Sequence, residues 1–270
     1  MNNFTKAFYT TKSKSIQWVF AVLTLFLLST QASFGQTTVF SDDFSANTSA
    51  TYVTSGAINT TAWSVTRLGA DFGARRNTSP AQLELTNDVG ATGNFAGWAF
   101  ASIPVSNFSS PYTSTLSSNP GDVTWNFNMR QIRATASGFA SGNYGAAMIL
   151  GSTGTTATTG NGYAVTIGAS GFIRLVRFNN GLAGTQTNII AGSTNAATNY
   201  YSFRVIYTPS TNTWQLLARN DGATAFADPA TGTLTAVNTA TVDNTYTGSA
   251  LANFGAFWNG STTANQTAFF

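Results

Sequence analysis

Apolar and polar positions alternate without a break over Val123-Thr-Trp125-Asn-Phe127-Asn-Met129-Arg130. Val123, Trp125, Phe127 and Met129 fall on one face; Thr124, Asn126, Asn128 and Arg130 fall on the other. A period of two over this length predicts a strand with one face in a core. Runs rich in β-branched and aromatic residues at Gln82–Thr86, Gly97–Val105, Tyr144–Leu150, Tyr163–Gly168, Phe172–Phe178, Tyr201–Tyr207, Trp214–Arg219 and Asn253–Trp258 predict further strands. Turn chemistry separates them: Ala169-Ser170-Gly171, Asn179-Asn180-Gly181, Pro209-Ser210-Thr211-Asn212 and Asn220-Asp221-Gly222 all suit tight reversals. Tyr201–Tyr207 and Trp214–Arg219, joined by one of these turns, predict a hairpin. Helical periodicity is nearly absent after Gln36, so the chain reads as all-β, with two packed antiparallel sheets in one domain. The polar stretches Ser106–Pro120 and Gly151–Asn161 predict loops at the edge or mouth of the sandwich. Gln266-Thr-Ala-Phe-Phe270 reads as the start of another strand, and the expectation is a domain truncated at its C-terminal strand.

The first 35 residues follow a different pattern. Lys6, Lys12 and Lys14 precede an apolar run, Trp18 to Leu28, interrupted only by Thr24; the small-residue exit Ser33-Phe34-Gly35 follows. A basic n-region, a short h-region and such an exit predict a secretory signal peptide over 1–35, in helical form, with the mature domain at 36–270. The run falls short of the roughly 20 apolar residues that span a bilayer, so no stable membrane span is expected. The mature protein is then secreted or held at the cell surface.

Cleavage changes the electrostatics. Three of the twelve basic residues leave with the leader, so nine arginines face nine acidic residues. A neutral chain lacks the basic stripe that nucleic-acid binding requires. The mature sequence contains no lysine, histidine or cysteine. Ser/His and Cys/His nucleophile systems are excluded, as are zinc and other nitrogen- or sulfur-ligated metals. Glycoside hydrolysis generally needs two carboxylates. The one glutamate, Glu84, has no acid two residues away on either side, and reads as a solvent-face strand residue paired with a nearby arginine. No cofactor is called for, apart from calcium, which takes oxygen ligands that leave little sequence trace. Asp42, Asp43 and Asp243 are its candidates if the first and last strands converge; otherwise these acids cap turns.

The segments Val39-Phe40-Ser-Asp42-Asp43-Phe44, Gly162-Tyr163-Ala-Val165, Tyr207-Thr-Pro209-Ser-Thr-Asn-Thr-Trp214 and Phe254-Gly-Ala-Phe257-Trp258-Asn259 carry a family likeness. With them the chain resembles the concanavalin A-like lectin/glucanase jelly roll, in the laminin-G-like form found in secreted Bacteroidota surface proteins. The likeness covers about Phe40 to Phe270 and implies a two-sheet antiparallel jelly-roll β-sandwich. Such proteins commonly continue with a further final strand and a C-terminal sorting domain, neither of which is in this sequence.

The resemblance implies a non-catalytic lectin-like module that binds a glycan or cell-surface polysaccharide, or serves in adhesion. Binding candidates are Asn126, Asn128 and Arg130 on the polar face of their strand, with Arg174 and Arg204 in mid-strand elsewhere and Arg219 at a strand end. If those strands are neighbours, amides and guanidinium forks line a shallow groove; the plainer reading is a solvated sheet face with cross-strand pairs. Each tryptophan reads as core, Trp125 above all, because aromatics dominate sandwich cores. Two other readings stay open. One is a polysaccharide lyase using Tyr144, Tyr163 or Tyr201 as a base beside an arginine, which requires a lowered phenol pKa. The other is a structural spacer in a larger adhesin. The sequence leaves the oligomeric state unassigned.

Overall fold

The strand pattern is realised almost throughout. The computed structural model describes residues 36–90, 96–196, 198–260 and 266–270; the signal-peptide helix expected at 1–35 lies outside the described residues. In chain order the strands are β1 (Gly56–Ala57), β2 (Ser64–Leu68), β3 (Gly73–Thr78), β4 (Ala81–Thr86), β5 (Gly97–Pro104), β6 (Val123–Gln131), β7 (Gly145–Ser152) and β8 (Gly162–Ile167). They continue with β9 (Phe172–Asn179), β10 (Thr185–Asn195), β11 (Tyr200–Thr208), β12 (Thr213–Gly222), β13 (Thr235–Ala236), β14 (Thr241–Val242), β15 (Asn253–Gly260) and β16 (Thr267–Phe269). Among the described residues no helix is long and apolar enough to cross a membrane.

Two antiparallel sheets pack face to face. One runs β1-β2-β5-β15-β7-β8-β9-β10, the other β13-β12-β11-β6-β16-β4-β3, with β14 also on β12. The chain crosses repeatedly from one sheet to the other, at β2–β3, β4–β5, β5–β6, β6–β7, β10–β11, β14–β15 and β15–β16, which winds the sandwich as a jelly roll. Residues 39–270 form this unit. The expected hairpin is β11–β12, in register from Tyr201↔Asn220 to Thr208↔Thr213, apart from a shift at Tyr200. The final apolar residues form β16, which sits between β4 and β6.

Alternation sets the core of the second sheet. Trp125, Phe127 and Met129 of β6, Phe203, Val205 and Tyr207 of β11, and Trp214 and Leu216 of β12 all point between the sheets. The Phe127 and Phe203 rings stack at 5.4 Å, and Tyr163 of β8 reaches across to Trp214 at 4.5 Å. Trp63, Trp98, Trp125, Trp214 and Trp258 are all buried, as the sequence indicated.

The middle of the first sheet is buried on both faces. Every residue of β7 and β8 is buried, so these strands read as continuous small-apolar runs rather than alternating ones. Their outer face carries a second apolar layer, with Trp98 and Phe100 of β5, Phe257 of β15, Ile149 of β7, Ala164 of β8, and Val176 and Phe178 of β9. Loop residues Phe139, Ala157 and Leu182 cover it. Phe139 lies so close to the backbone that a Cβ at Gly145 would stand 3.0 Å from its ring.

Candidate functional site

The polar row foreseen on β6 assembles as a row. Arg204 stands opposite Asn126 and Ser202 opposite Asn128 on β11, while Arg219 of β12 stands opposite Ser202. The side chains are occupied by the protein itself. Residues 223–231, the segment after β12, lie across this face and present backbone carbonyls to it. Asn128 Nδ2 donates to the Ala227 carbonyl and to Ser202 Oγ, both at 3.0 Å. Arg204 donates from Nε to Asn126 Oδ1 at 2.8 Å and from Nη2 to the Ala230 carbonyl at 2.9 Å. Arg219 donates to the Thr231 and Asp228 carbonyls and to Asp221, whose side chain is 1% exposed. Ser202 Oγ donates to the second Asp221 oxygen at 2.6 Å. Arg130 donates to the Thr198 carbonyl and lies over the Tyr200 ring at 4.3 Å. In place of an open groove, Asn126, Asn128, Arg204 and Arg219 fasten a strap of the chain. Among them only Asn126 is exposed; the other three are half-buried.

The acidic candidates are dispersed in the same way. Asp42 takes a hydrogen bond from the buried Arg76 guanidinium at 2.6 Å and another from Trp63 Nε1 at 2.9 Å, on the β2–β3 side. Asp43 caps Ser45 through that residue's hydroxyl and N–H, which holds its carboxyl below the usual 3.8. Asp243 serves β8, β9 and β12: it accepts from the Tyr163 hydroxyl at 2.9 Å and pairs with Arg177, while its carbonyl accepts from Trp214 Nε1. Asp42 and Asp243 therefore share no partner, and among the described residues no three His, Cys, Asp or Glu side chains gather to hold a metal. Glu84 does pair with an arginine, Arg75, at 2.8 Å, but it is buried rather than solvent-facing. The reason is tertiary: the Tyr52 hydroxyl donates to it at 2.6 Å and Arg75 packs over the Tyr52 ring at 4.2 Å.

The tyrosines named as possible bases are core residues. Burial pushes the phenols of Tyr163 and Tyr201 upward, the wrong direction for proton abstraction at neutral pH. Tyr144 is buried beneath the Arg133 guanidinium, 3.5 Å from its ring centroid.

Arg174 stands apart from the other five candidates, on β9 of the first sheet. It alternates with Val176 and Phe178 on the outer face, at the edge of the second apolar layer. Beside it opens a cleft of about 350 Å³, within the range of small-ligand sites. Three chain segments wall the cleft: 137–143 between β6 and β7, the Gly168-Ala169 turn before β9, and 182–188 leading into β10. Arg174 Nη1 donates to the Ala169 carbonyl at 2.9 Å, which fixes the fork at the rim. Gln186 and Asn188 join it from β10, where they stand opposite Phe178 and Val176. The register of β10 shifts just after Asn188, a bulge that turns Ile189 and Ile190 into the core while leaving both amides outside. Phe139 and Leu182 supply an apolar floor. The turn into β10 depends on Gly181: its φ is +73°, and a Cβ there would lie 2.2 Å from the Ala157 carbonyl oxygen.

Sequence reading found Arg174 and both turns but missed Gln186 and Asn188. The Asn179-Asn180-Gly181 reversal was the available signal, since a tight turn after β9 requires a returning strand to follow it.

No protein-family model matches the chain, and no curated protein matches it. Among solved structures it is similar to basic winged bean lectin with Tn-antigen, at 13% identity and a TM-score of 0.47, over 81% of this chain and 94% of that one. It is similar to a Lotus tetragonolobus seed lectin at 12% identity and a TM-score of 0.46, over 76% and 89% of the two chains. The values for arcelin-5, a lectin-like defence protein from Phaseolus vulgaris, are 13% identity, a TM-score of 0.43, and 76% and 88%. At such values no residue role passes between the chains, and the assignment as a two-sheet jelly roll rests on the strand order itself.

Proposed function

We propose that the mature protein is an exported, non-catalytic module that binds saccharides in the Arg174 cleft, in glycan capture or adhesion at the cell surface. The observation that carries this reading is the chemistry of the cleft wall. A guanidinium and two amides are set on strands beside an apolar floor. Such groups exchange hydrogen bonds with sugar hydroxyls, while the floor meets the C–H face of the ring. Among the described residues no Asp, Glu or Tyr lines the cleft, so that lining offers no general acid or base. The basic, then apolar N-terminus supports export. The laminin-G-like variant of the fold and its surface display belong to the same proposal.

The test is a glycan array probed with the purified protein, followed by titration calorimetry on the best ligand. Arg174→Ala and the double variant Gln186→Ala/Asn188→Ala are expected to weaken binding with Tm preserved, and Arg204→Ala to leave affinity unchanged. Absence of any saccharide binding would favour a spacer role and overturn the proposal. So would release of unsaturated sugars, which identifies a lyase.

A further inference from the structure

The arginines of the molecule are held in different ways; Arg67, for one, donates to the Ala70 and Phe72 carbonyls, and Arg133 lies over the Tyr144 ring. Among the described residues four arginines pair with carboxylates: Arg75 with Glu84, Arg76 with Asp42, Arg177 with Asp243 and Arg219 with Asp221. Arg204 is enclosed by an amide and backbone carbonyls, and Arg130 by a carbonyl and the Tyr200 hydroxyl. Arg174 has one carbonyl acceptor, lies over the Phe172 ring 5.2 Å from its centroid, and has no acidic partner among the described residues. Among the described residues it is also the sole charged one lining its cleft. A half-buried cation in a concave wall of neutral groups concentrates positive potential in the space it faces. Nη1 is committed to Ala169; the Nε and Nη2 edge makes no hydrogen bond among the described residues, and two such parallel N–H donors match one carboxylate or sulfate.

From this geometry we infer that the cleft selects acidic saccharides, with Arg174 engaging a ring carboxylate or sulfate ester while Gln186 and Asn188 take neighbouring hydroxyls. The inference rests on the saccharide-binding reading above and adds the ligand class to it. The two sources of the oxyanion, uronate and sulfate, share this chemistry and are separated by the experiment.

Calorimetry with four probes makes the test: an oligogalacturonate, its methyl ester, a sulfated galactan oligomer and the unsulfated galactan. Losing a hydrogen-bonded ionic contact costs roughly 10- to 100-fold in affinity. Wild-type protein is expected to bind at least one acidic probe tighter than its neutral counterpart by that factor, with the preference shrinking as salt rises. The pair that shows the difference identifies the oxyanion. Arg174→Ala is expected to abolish the preference by weakening the acidic probe alone, and Arg174→Lys to restore part of it. Equal affinity for acidic and neutral probes, with Arg174→Ala weakening both alike, would overturn the inference and leave saccharide binding standing. Failure of all four probes and of the array together would instead remove the underlying reading. The ester comparison needs no variant, so it decides the matter even if Arg174→Ala does not fold.

Discussion

Replacing Asp221 with alanine tests how the strap over the second sheet is held. Its side chain is 1% exposed and accepts from Arg219 Nε at 2.7 Å, Ser202 Oγ at 2.6 Å and the Ala227 N–H at 3.1 Å. Breaking a fully buried ion pair costs about 3–5 kcal/mol. Here Arg219 is 23% exposed and keeps the Thr231 and Asp228 carbonyls, which lowers its share of the loss. With the ion pair's share at about 2 kcal/mol, the stranded Ala227 N–H adds about 1 kcal/mol, while Ser202 Oγ keeps the Ala227 carbonyl at 3.1 Å. The sum is about 3 kcal/mol, or a fall in Tm of roughly 6–12 °C for a domain of this size. The damage is expected to centre on residues 223–231, so limited proteolysis with mass spectrometry is the second assay and new cleavage within that segment the expected result. Asp221→Asn retains one acceptor oxygen but sets an amide donor against a donor, and falls between the two proteins. A Tm within about 2 °C of wild type, with 223–231 still protected, would refute the account of how the strap is fastened.

Burial holds the phenols of Tyr52, Tyr112, Tyr163, Tyr201 and Tyr207 above their ordinary value of 10.0. Each then contributes stability that is complete below pH 10 and is lost as pH rises from there toward the folded-state value, because the unfolded chain releases its protons first. Tm measured from pH 8 to pH 12 is expected to drop beyond about pH 10, and a flat profile would contradict the burial argument. Tyr112→Phe, which removes a buried hydroxyl without a partner, is expected to soften that drop and to leave Tm at pH 7 unchanged or raised. Gly181→Ala places a Cβ on the Ala157 carbonyl at positive φ and is expected to lose about 1–3 kcal/mol by chemical denaturation, together with saccharide affinity.

The β-strands that were legible in the sequence are those whose apolar residues face one core, such as β6 and β11. The strands outside the expected runs are β2, β3 and β10, with the two-residue β1, β13 and β14. In β3 the run Gly73-Ala-Arg-Arg-Asn-Thr looks unfit for a sheet until Glu84, opposite Arg75 in the β3–β4 hairpin, and the more distant Asp42 neutralise its two arginines. The edge strand β10 carries only Ile189 and Ile190 as large apolar residues, and polar edges are how sheets avoid pairing with other chains. The same limit governs the site. Alternation placed Asn126, Asn128 and Arg130 on the correct face, but periodicity within a strand carries no information about what another segment lays over it. Residues 223–231 bind that face through backbone carbonyls, which every sequence possesses. Arg174 was legible as a mid-strand charge; its isolation from any carboxylate appears only when the four ion pairs elsewhere are accounted for.

Because β7 and β8 are packed on both faces, the framework beneath the cleft is held independently of what surrounds its mouth. Residues at the tips of 137–143 and 182–188 are therefore free to vary in length and chemistry, while those that touch Phe139 or the turn at Gly181 are not. On the saccharide-binding proposal, relatives of this chain with other ligands are expected to diverge at the rim and keep the floor, so new specificities are best sought by randomising those two tips.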